Sequence, residues 1–234
     1  MNEWAQGKAQ SKPSNPKFIS EINKVKIINL IRDGDGVSRA ELAKISGLSA
    51  STISRIVETL IRERLATEIG AGESTGGRKP TLIKFSGVDN FIIGIDLGTT
   101  NIYGALTDLD AKVIAEIKRP TQIEDGFNRV VERTSEIIAE LRGRLGAKKD
   151  GVCGIGMAIA GLINRKRNVV EFSPDFHWHD VDIRAELARD VDIPVVFDNV
   201  TRVMALGEMW YGAGRGIRDF IMVNVGYGIG AGII

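Results

Sequence analysis

The chain has 234 residues, 43% of them hydrophobic and 26% charged, which is ordinary for a globular protein and enough for one or two domains with their own cores. No apolar run nears the ~20 residues that span a bilayer, and the N-terminus lacks the apolar centre of a signal peptide. No membrane partner is therefore expected, and the cytoplasm is the expected compartment. A single cysteine, Cys153, excludes an internal disulfide framework and a cysteine-rich metal site. Within its apolar stretch it reads as a small buried side chain.

The net charge of +1 hides an asymmetry. Residues 1–86 hold 14 Lys/Arg against 9 Asp/Glu, and residues 87–234 hold 17 against 21. A basic first third beside an acidic remainder suggests that only the first part meets a polyanion. Residues 1–16, polar and lacking periodicity, read as a disordered lead-in.

Phe18 to Arg32 carries apolar residues at Ile22, Val25, Ile28 and Ile31, with Ile27 and Leu30 beside them, which is helical spacing. Asp33-Gly34-Asp35-Gly36 stops that helix. Ser38 and Glu41 form a capping box that opens a short helix with Leu42, Ala43 and Ile45 inside. Gly47 supplies a tight turn, and Ser49 caps the next helix, Ala50 to Arg64, with Ile53, Ile56, Val57, Leu60 and Ile61 on one stripe. Ser51, Thr52 and Arg55 open its other face. Two short helices around a glycine turn form the layout of a helix-turn-helix, whose second helix reads base edges from its N-terminal residues. A plain helical hairpin would show the same periodicity. Strands at Leu65–Ile69 and Thr81–Phe85 then predict a β-hairpin wing, with Arg78 and Lys79 between Gly77 and Pro80 at its tip. Such an arginine fits a narrow A·T-rich minor groove; a solvated loop with incidental charges is the other reading.

Asn23, the run Ser38-Arg39-Ala40-Glu41-Leu42-Ala43, Gly47-Leu48-Ser49 and Gly76-Gly77-Arg78-Lys79-Pro80 resemble the N-terminal domain of ROK-family repressors. That family includes xylose and N-acetylglucosamine repressors, as well as sugar kinases without a DNA-binding domain. The resemblance implies a winged helix-turn-helix over residues 17–86, with Ser38, Arg39, Ser49, Ser51, Thr52, Arg55, Arg78 and Lys79 facing operator DNA.

Beyond residue 87 the chain alternates. Strands are predicted at Phe91–Leu97, Asn101–Thr107 and Lys112–Lys118, then a helix with Phe127, Val130, Val131, Thr134, Ile137, Ile138 and Leu141 on one face. Strands follow at Gly151–Ala158 and Pro194–Asp198, a helix at Thr201–Tyr211, and a strand at Phe220–Val225. Three meandering strands followed by alternating helices and strands predict an α/β domain with a mixed sheet.

Gly94-Ile95-Asp96-Leu97-Gly98-Thr99-Thr100 resembles the first phosphate loop of the ribonuclease H-like superfamily of actin-like ATPases and sugar kinases, and Gly226-Tyr227-Gly228-Ile229-Gly230-Ala231-Gly232 resembles the second. Asp96, Gly98, Thr99, Thr100, Gly226, Gly228 and Gly230 are thus phosphate-loop-like. Both runs are equally read as tight turns retained for folding. The kinases usually carry threonine where Tyr227 stands, so phosphate contact there is in question. Ser173-Pro174-Asp175 resembles the family's Ser-Pro-Asn segment beside the sugar. Asp198-Asn199-Val200, ahead of Ala205-Leu206-Gly207-Glu208, resembles the kinases' Glu-Asn-Asp, with Val200 in place of the catalytic aspartate. Valine cannot accept a proton, and losing a general base costs ~10²–10⁴-fold in rate. Asp198 is two residues away, ~6–7 Å along a strand, too far for the same proton.

The resemblance therefore implies Asp175, Asp198 and Asn199 as sugar ligands in a non-catalytic lobe, with no cofactor. His177 and His179 read as ordinary histidines, and no metal site is expected. Gly230–Ile234 reads as the start of a strand, so the lobe spanning 87–234 is expected to be incomplete. The whole reads as a sugar-responsive repressor that binds operator DNA and pairs as a homodimer (or higher) in its full-length form. An active sugar kinase fused to a DNA-binding module is the alternative.

Overall fold

The computed structural model describes residues 16–71, 80–226 and 228–234. The expected disordered lead-in, the wing tip with Arg78 and Lys79, and Tyr227 lie outside the described residues, apart from Pro16 of the lead-in, which opens the first helix. The chain divides into two compact units, Met1–Val88 and Asp89–Ile234.

The first unit opens with helix α1 (Pro16–Asp33), followed by the two-residue strand β1 (Val37–Ser38), α2 (Arg39–Ser46) and α3 (Ala50–Arg62). Strands β2 (Ala66–Ala71) and β3 (Thr81–Phe85) form the hairpin, and β1 adds to the other edge of β3 in the order β1-β3-β2. Sequence periodicity had no means to show β1, because two residues carry no period. Its pairing of Val37 with Ile83 ties the wing to the start of α2.

The capping box at α2 is complete. The Ser38 Oγ accepts from the Glu41 N–H (3.2 Å), and the Glu41 carboxylate accepts from the Ser38 N–H (2.8 Å) and hydroxyl (2.8 Å). Gly47, at φ 73°, makes the left-handed turn that ends α2, a conformation costly for any residue with a Cβ. Ile27, Ile31, Leu42, Ile53, Val57, Leu60 and Ile83 are fully buried together.

One inner-face expectation, at Ile45 of α2, is corrected here. In α1, Ile22 and Val25 are about half exposed (47% and 55%), whereas Ile27 and Ile31 are fully buried. The run is apolar around most of the helix, so periodicity alone left its orientation open. Ile45 is 60% exposed, whereas the next residue, Ser46, is buried.

The second unit is built on a five-stranded mixed sheet. Strands β4 (Phe91–Leu97), β5 (Asn101–Asp108) and β6 (Val113–Pro120) form an antiparallel meander. Helix α4 (Phe127–Gly143) crosses back over it, and β7 (Val152–Ile159) pairs parallel with β4. A small sheet of β8 (Leu162–Asn164), β9 (Val169–Ser173) and β10 (Trp178–Val181) follows, then α5 (Ile183–Leu187) and β11 (Val195–Asn199), parallel to β7. The strand order β11-β7-β4-β5-β6 is that of the mixed sheet implied by the ribonuclease H-like resemblance. Helix α6 (Val200–Tyr211) and the hairpin of β12 (Ile221–Val225) and β13 (Ile229–Ile233) end the unit.

Alternate residues of β4 and β5, among them Ile93, Leu97, Ile102 and Leu106, pack against Ile137, Ile138 and Leu141 of α4. Cys153 is a further correction. It is exposed, because strand alternation in β7 sends it to the face opposite that core. No helix of the described residues is long and apolar enough to cross a membrane.

The capping box makes α2 sensitive to acid. Hydrogen bonds from Ser38, the backbone one foremost, hold the Glu41 carboxyl below the usual carboxylate range. A folded value below the unfolded one means a contribution present above the ordinary glutamate value of about 4.3 and lost as pH falls through the folded one. Glu41→Gln is expected to flatten the acid limb of stability, read from urea midpoints taken from neutral pH down to about pH 3. Parallel acid limbs for the two proteins would remove Glu41 from the account.

Candidate functional site

The first candidate surface is the start of α3. Ser49 caps the helix, its Oγ accepting from the Thr52 N–H (3.2 Å) and lying 3.0 Å and 2.9 Å from the hydroxyls of Ser51 and Thr52. Ile53, Ile56, Val57 and Leu60 anchor the opposite face in the core, so the helix cannot rotate without unburying them. Arg55 is exposed one turn in, and its guanidinium has no partner among the described residues. Arg39 differs: its Nη2 is 2.9 Å from the Glu68 carboxylate on β2. Both members of that pair are substantially exposed, so releasing Arg39 toward another anion costs about 0–1 kcal/mol. Ser38 is buried and spent on the capping box, which leaves it a positioning role.

The second site is a cleft of about 580 Å³ in the other unit. Asp96, Gly98, Thr99 and Thr100 line it from the β4–β5 turn, and Gly226, Gly228 and Gly230 from the β12–β13 hairpin. Asp175, Asn199 and Val200 complete the polar and apolar floor. The two glycine runs, 132 positions apart from Gly94 to Gly226, thus line one space.

Their glycines serve different needs. A Cβ on Gly98 would sit 2.9 Å from the Asn101 carbonyl oxygen, and one on Gly230 would sit 2.4 Å from the Thr201 Cγ2. Those two are packing requirements. A Cβ on Gly226 or Gly228 would meet nothing within 4 Å. The first turn is tied down by Thr121, whose N–H donates to the Thr100 carbonyl (3.0 Å) and whose hydroxyl donates to the Gly98 carbonyl (2.5 Å).

Asp96 has no cation or hydrogen-bond donor beside it among the described residues, and burial pushes its carboxyl above the usual range. Asp175 is placed by its neighbour. The fully buried Ser173 donates to the Ala160 carbonyl (2.7 Å), while Phe176 and Trp178 stack 4.4 Å apart below.

Asn199 caps α6. Its Oδ1 accepts from the Thr201 N–H (2.9 Å) and hydroxyl (2.6 Å), and its Nδ2 donates to the Gly161 carbonyl (2.8 Å). Both oxygen lone pairs are taken, so one N–H remains for a ligand. Asp198 departs from the expected ligand set. It does not line the cleft, and its carboxylate is paired with Arg165 and with Arg202 (3.3 Å) while accepting from the Asn199 N–H (2.8 Å). Val200, the first residue of α6, presents its side chain to the cleft beside Met204 and Ile229. His179 stacks on Phe172 with centroids 4.8 Å apart.

Comparison with known proteins agrees with both geometries. The ROK family model matches residues 92–234, and a winged helix-turn-helix DNA-binding model matches residues 21–65. This chain belongs to the ROK family. A putative xylose repressor of Caldicellulosiruptor sp. is 32% identical over 220 residues, 94% of this chain and 55% of that protein. A glucokinase of Thermotoga maritima is 35% identical over 144 residues, 61% of this chain and 44% of the enzyme. A solved ROK family transcriptional regulator, a homolog of the E. coli MLC protein, superposes with TM-score 0.80 at 25% identity, over 92% of this chain and 55% of its own. The chain spans about half the length of the curated relatives it matches.

Within this ROK lobe, several residues that shape the cleft carry no sequence signal. Arg165 and Gly161 reach the β11–α6 junction from 33 and 38 positions away, and Thr121 reaches Gly98 from 23. Asn199→Ala is expected to cost ~1–3 kcal/mol by removing a helix cap and orphaning the Gly161 carbonyl. Asn199→Asp should recover the cap alone. Urea unfolding without ligand measures both, and an unchanged midpoint for the alanine variant would make the cap dispensable.

Proposed function

We propose that this chain acts as a sugar-responsive transcriptional repressor, reading operator DNA through its winged helix-turn-helix and sensing a sugar in a cleft that performs no phosphoryl transfer. The observation that carries this reading is Val200 in the cleft wall, where the family's kinases place the aspartate that takes the proton from the sugar hydroxyl. A DNA-binding unit on the same chain gives a non-catalytic lobe a use. The xylose repressors among its relatives make a pentose such as xylose the first effector to test.

In this reading Arg55 reaches a base edge in the major groove, with Ser51 and Thr52 beside it, and Ser49 and Arg39 contact the flanking backbone. Arg78 and Lys79 at the wing enter the minor groove. Asp175 and the remaining N–H of Asn199 hold sugar hydroxyls, while Asp198 orders the junction through its arginine pairs. The repressor works as a homodimer in the cytoplasm, and sugar binding shifts it between states of different operator affinity.

Arg55→Ala is expected to cost ~1–3 kcal/mol at a cognate operator and much less on random duplex. Titrations on both DNAs decide this, since equal losses would make Arg55 a phosphate contact.

With ATP and Mg²⁺, no sugar phosphorylation above background is expected, while a panel of sugars that includes xylose should raise the melting temperature. Turnover at the ~1–100 s⁻¹ of working kinases would overturn the repressor reading in favour of a kinase carrying a DNA-binding unit. A panel with no thermal shift would leave the lobe without a sensing role.

A further inference from the structure

Helix α1 has two apolar faces. Ile27 and Ile31 are fully buried in the core of the first unit. Phe18, Ile22 and Val25 are 54%, 47% and 55% exposed. At about 100° per residue, positions 18, 22, 25 and 29 fall on one line, nearly opposite 27 and 31. A surface helix of a small domain needs one apolar stripe, and this one carries a second, widened by Ile19 at 41% exposure.

The spacing of that outer stripe is specific. Steps of four, three and four residues are the alternating steps of a heptad seam, the pattern of a coiled coil. Asn29 falls at the seam position where a polar residue fixes register. Glu21 flanks one edge of the stripe and Lys26 the other. Two such helices packed parallel bring Glu21 of each against Lys26 of the other, the standard pairing of opposite seam edges. Packed antiparallel, they bring like charges together. The Lys26 ammonium also donates to the Ser46 carbonyl (2.8 Å), which uses one of its three protons.

We propose that the outer face of α1 docks against the same face of a second copy of this chain, parallel and in register. The seam is too short to hold a dimer alone. It forms when two copies are already held close, as on neighbouring half-sites, where effective concentration replaces affinity. In that respect it rests on the homodimeric repressor reading above.

Disulfide trapping tests it in the full chain with Cys153 replaced by serine. Phe18→Cys and Val25→Cys each place a thiol in the seam, and Ser20→Cys places one on the far side of the helix. In a glutathione redox buffer with operator duplex present to hold two copies close, the two seam variants are expected to form at least ten times more disulfide-linked dimer than Ser20→Cys, because only facing Cα atoms within ~7 Å can bridge. Equal trapping in all three would indicate random collision and overturn the proposal. Trapping only when Ile22→Cys and Val25→Cys proteins are mixed would mean an antiparallel pair, and would overturn it as well. DNA titration of the same variants, reduced, keeps the two readings apart. Operator binding with no preferential trapping would sink the seam alone, whereas trapping with no operator binding would sink the repressor reading.

Discussion

The ROK lobe turns on the side-chain amide of Asn199. It joins the end of β11 to the first turn of α6 and, through the Gly161 carbonyl, to the turn between β7 and β8. Three adjoining pieces of chain are held by one planar group with its oxygen saturated. Asp198 reinforces the junction from outside the cleft by accepting from the Asn199 N–H and gathering Arg165 and Arg202. The β12–β13 hairpin then lies so close over the first turn of α6 that only glycine fits at Gly230 and Gly232. The cleft floor is therefore rigid where Val200 and Asn199 stand.

That rigidity frames what the cleft can do. Asp96 opens onto the cleft with no cation beside it among the described residues, and desolvation holds its carboxyl above the usual range, which a bound donor would relieve. Val200, Met204 and Ile229 make the adjacent wall apolar. That wall shares the cleft with the polar side chains of Asp96, Asp175 and Asn199.

In the DNA-binding unit the division is similar. Arg55 has no side-chain partner among the described residues and stands on a helix locked by its buried face, whereas Arg39 starts from an exposed ion pair that costs little to release. In the proposed repressor, rigid placement of one cation and easy release of another would suit a surface that finds a register on DNA before it reads bases.

Much of this was legible in residue order. Capping signals at Ser38, Glu41 and Ser49, the glycine turn at Gly47, and the apolar stripe of α3 are local features, and each acts within four residues of itself. The meander of β4 to β6 and the parallel additions after it follow from buried runs and their connections. The motif spacing also singled out Val200. Tertiary structure decided the rest. It chose which side of the all-round apolar α1 met the core, turned Cys153 and Ile45 outward, and committed Asn199 to a helix cap and Asp198 to two arginines. The physical reason is the same in each case. A periodic pattern specifies that a face exists, but only packing against chain tens of residues away specifies which face is used and which polar atoms remain free.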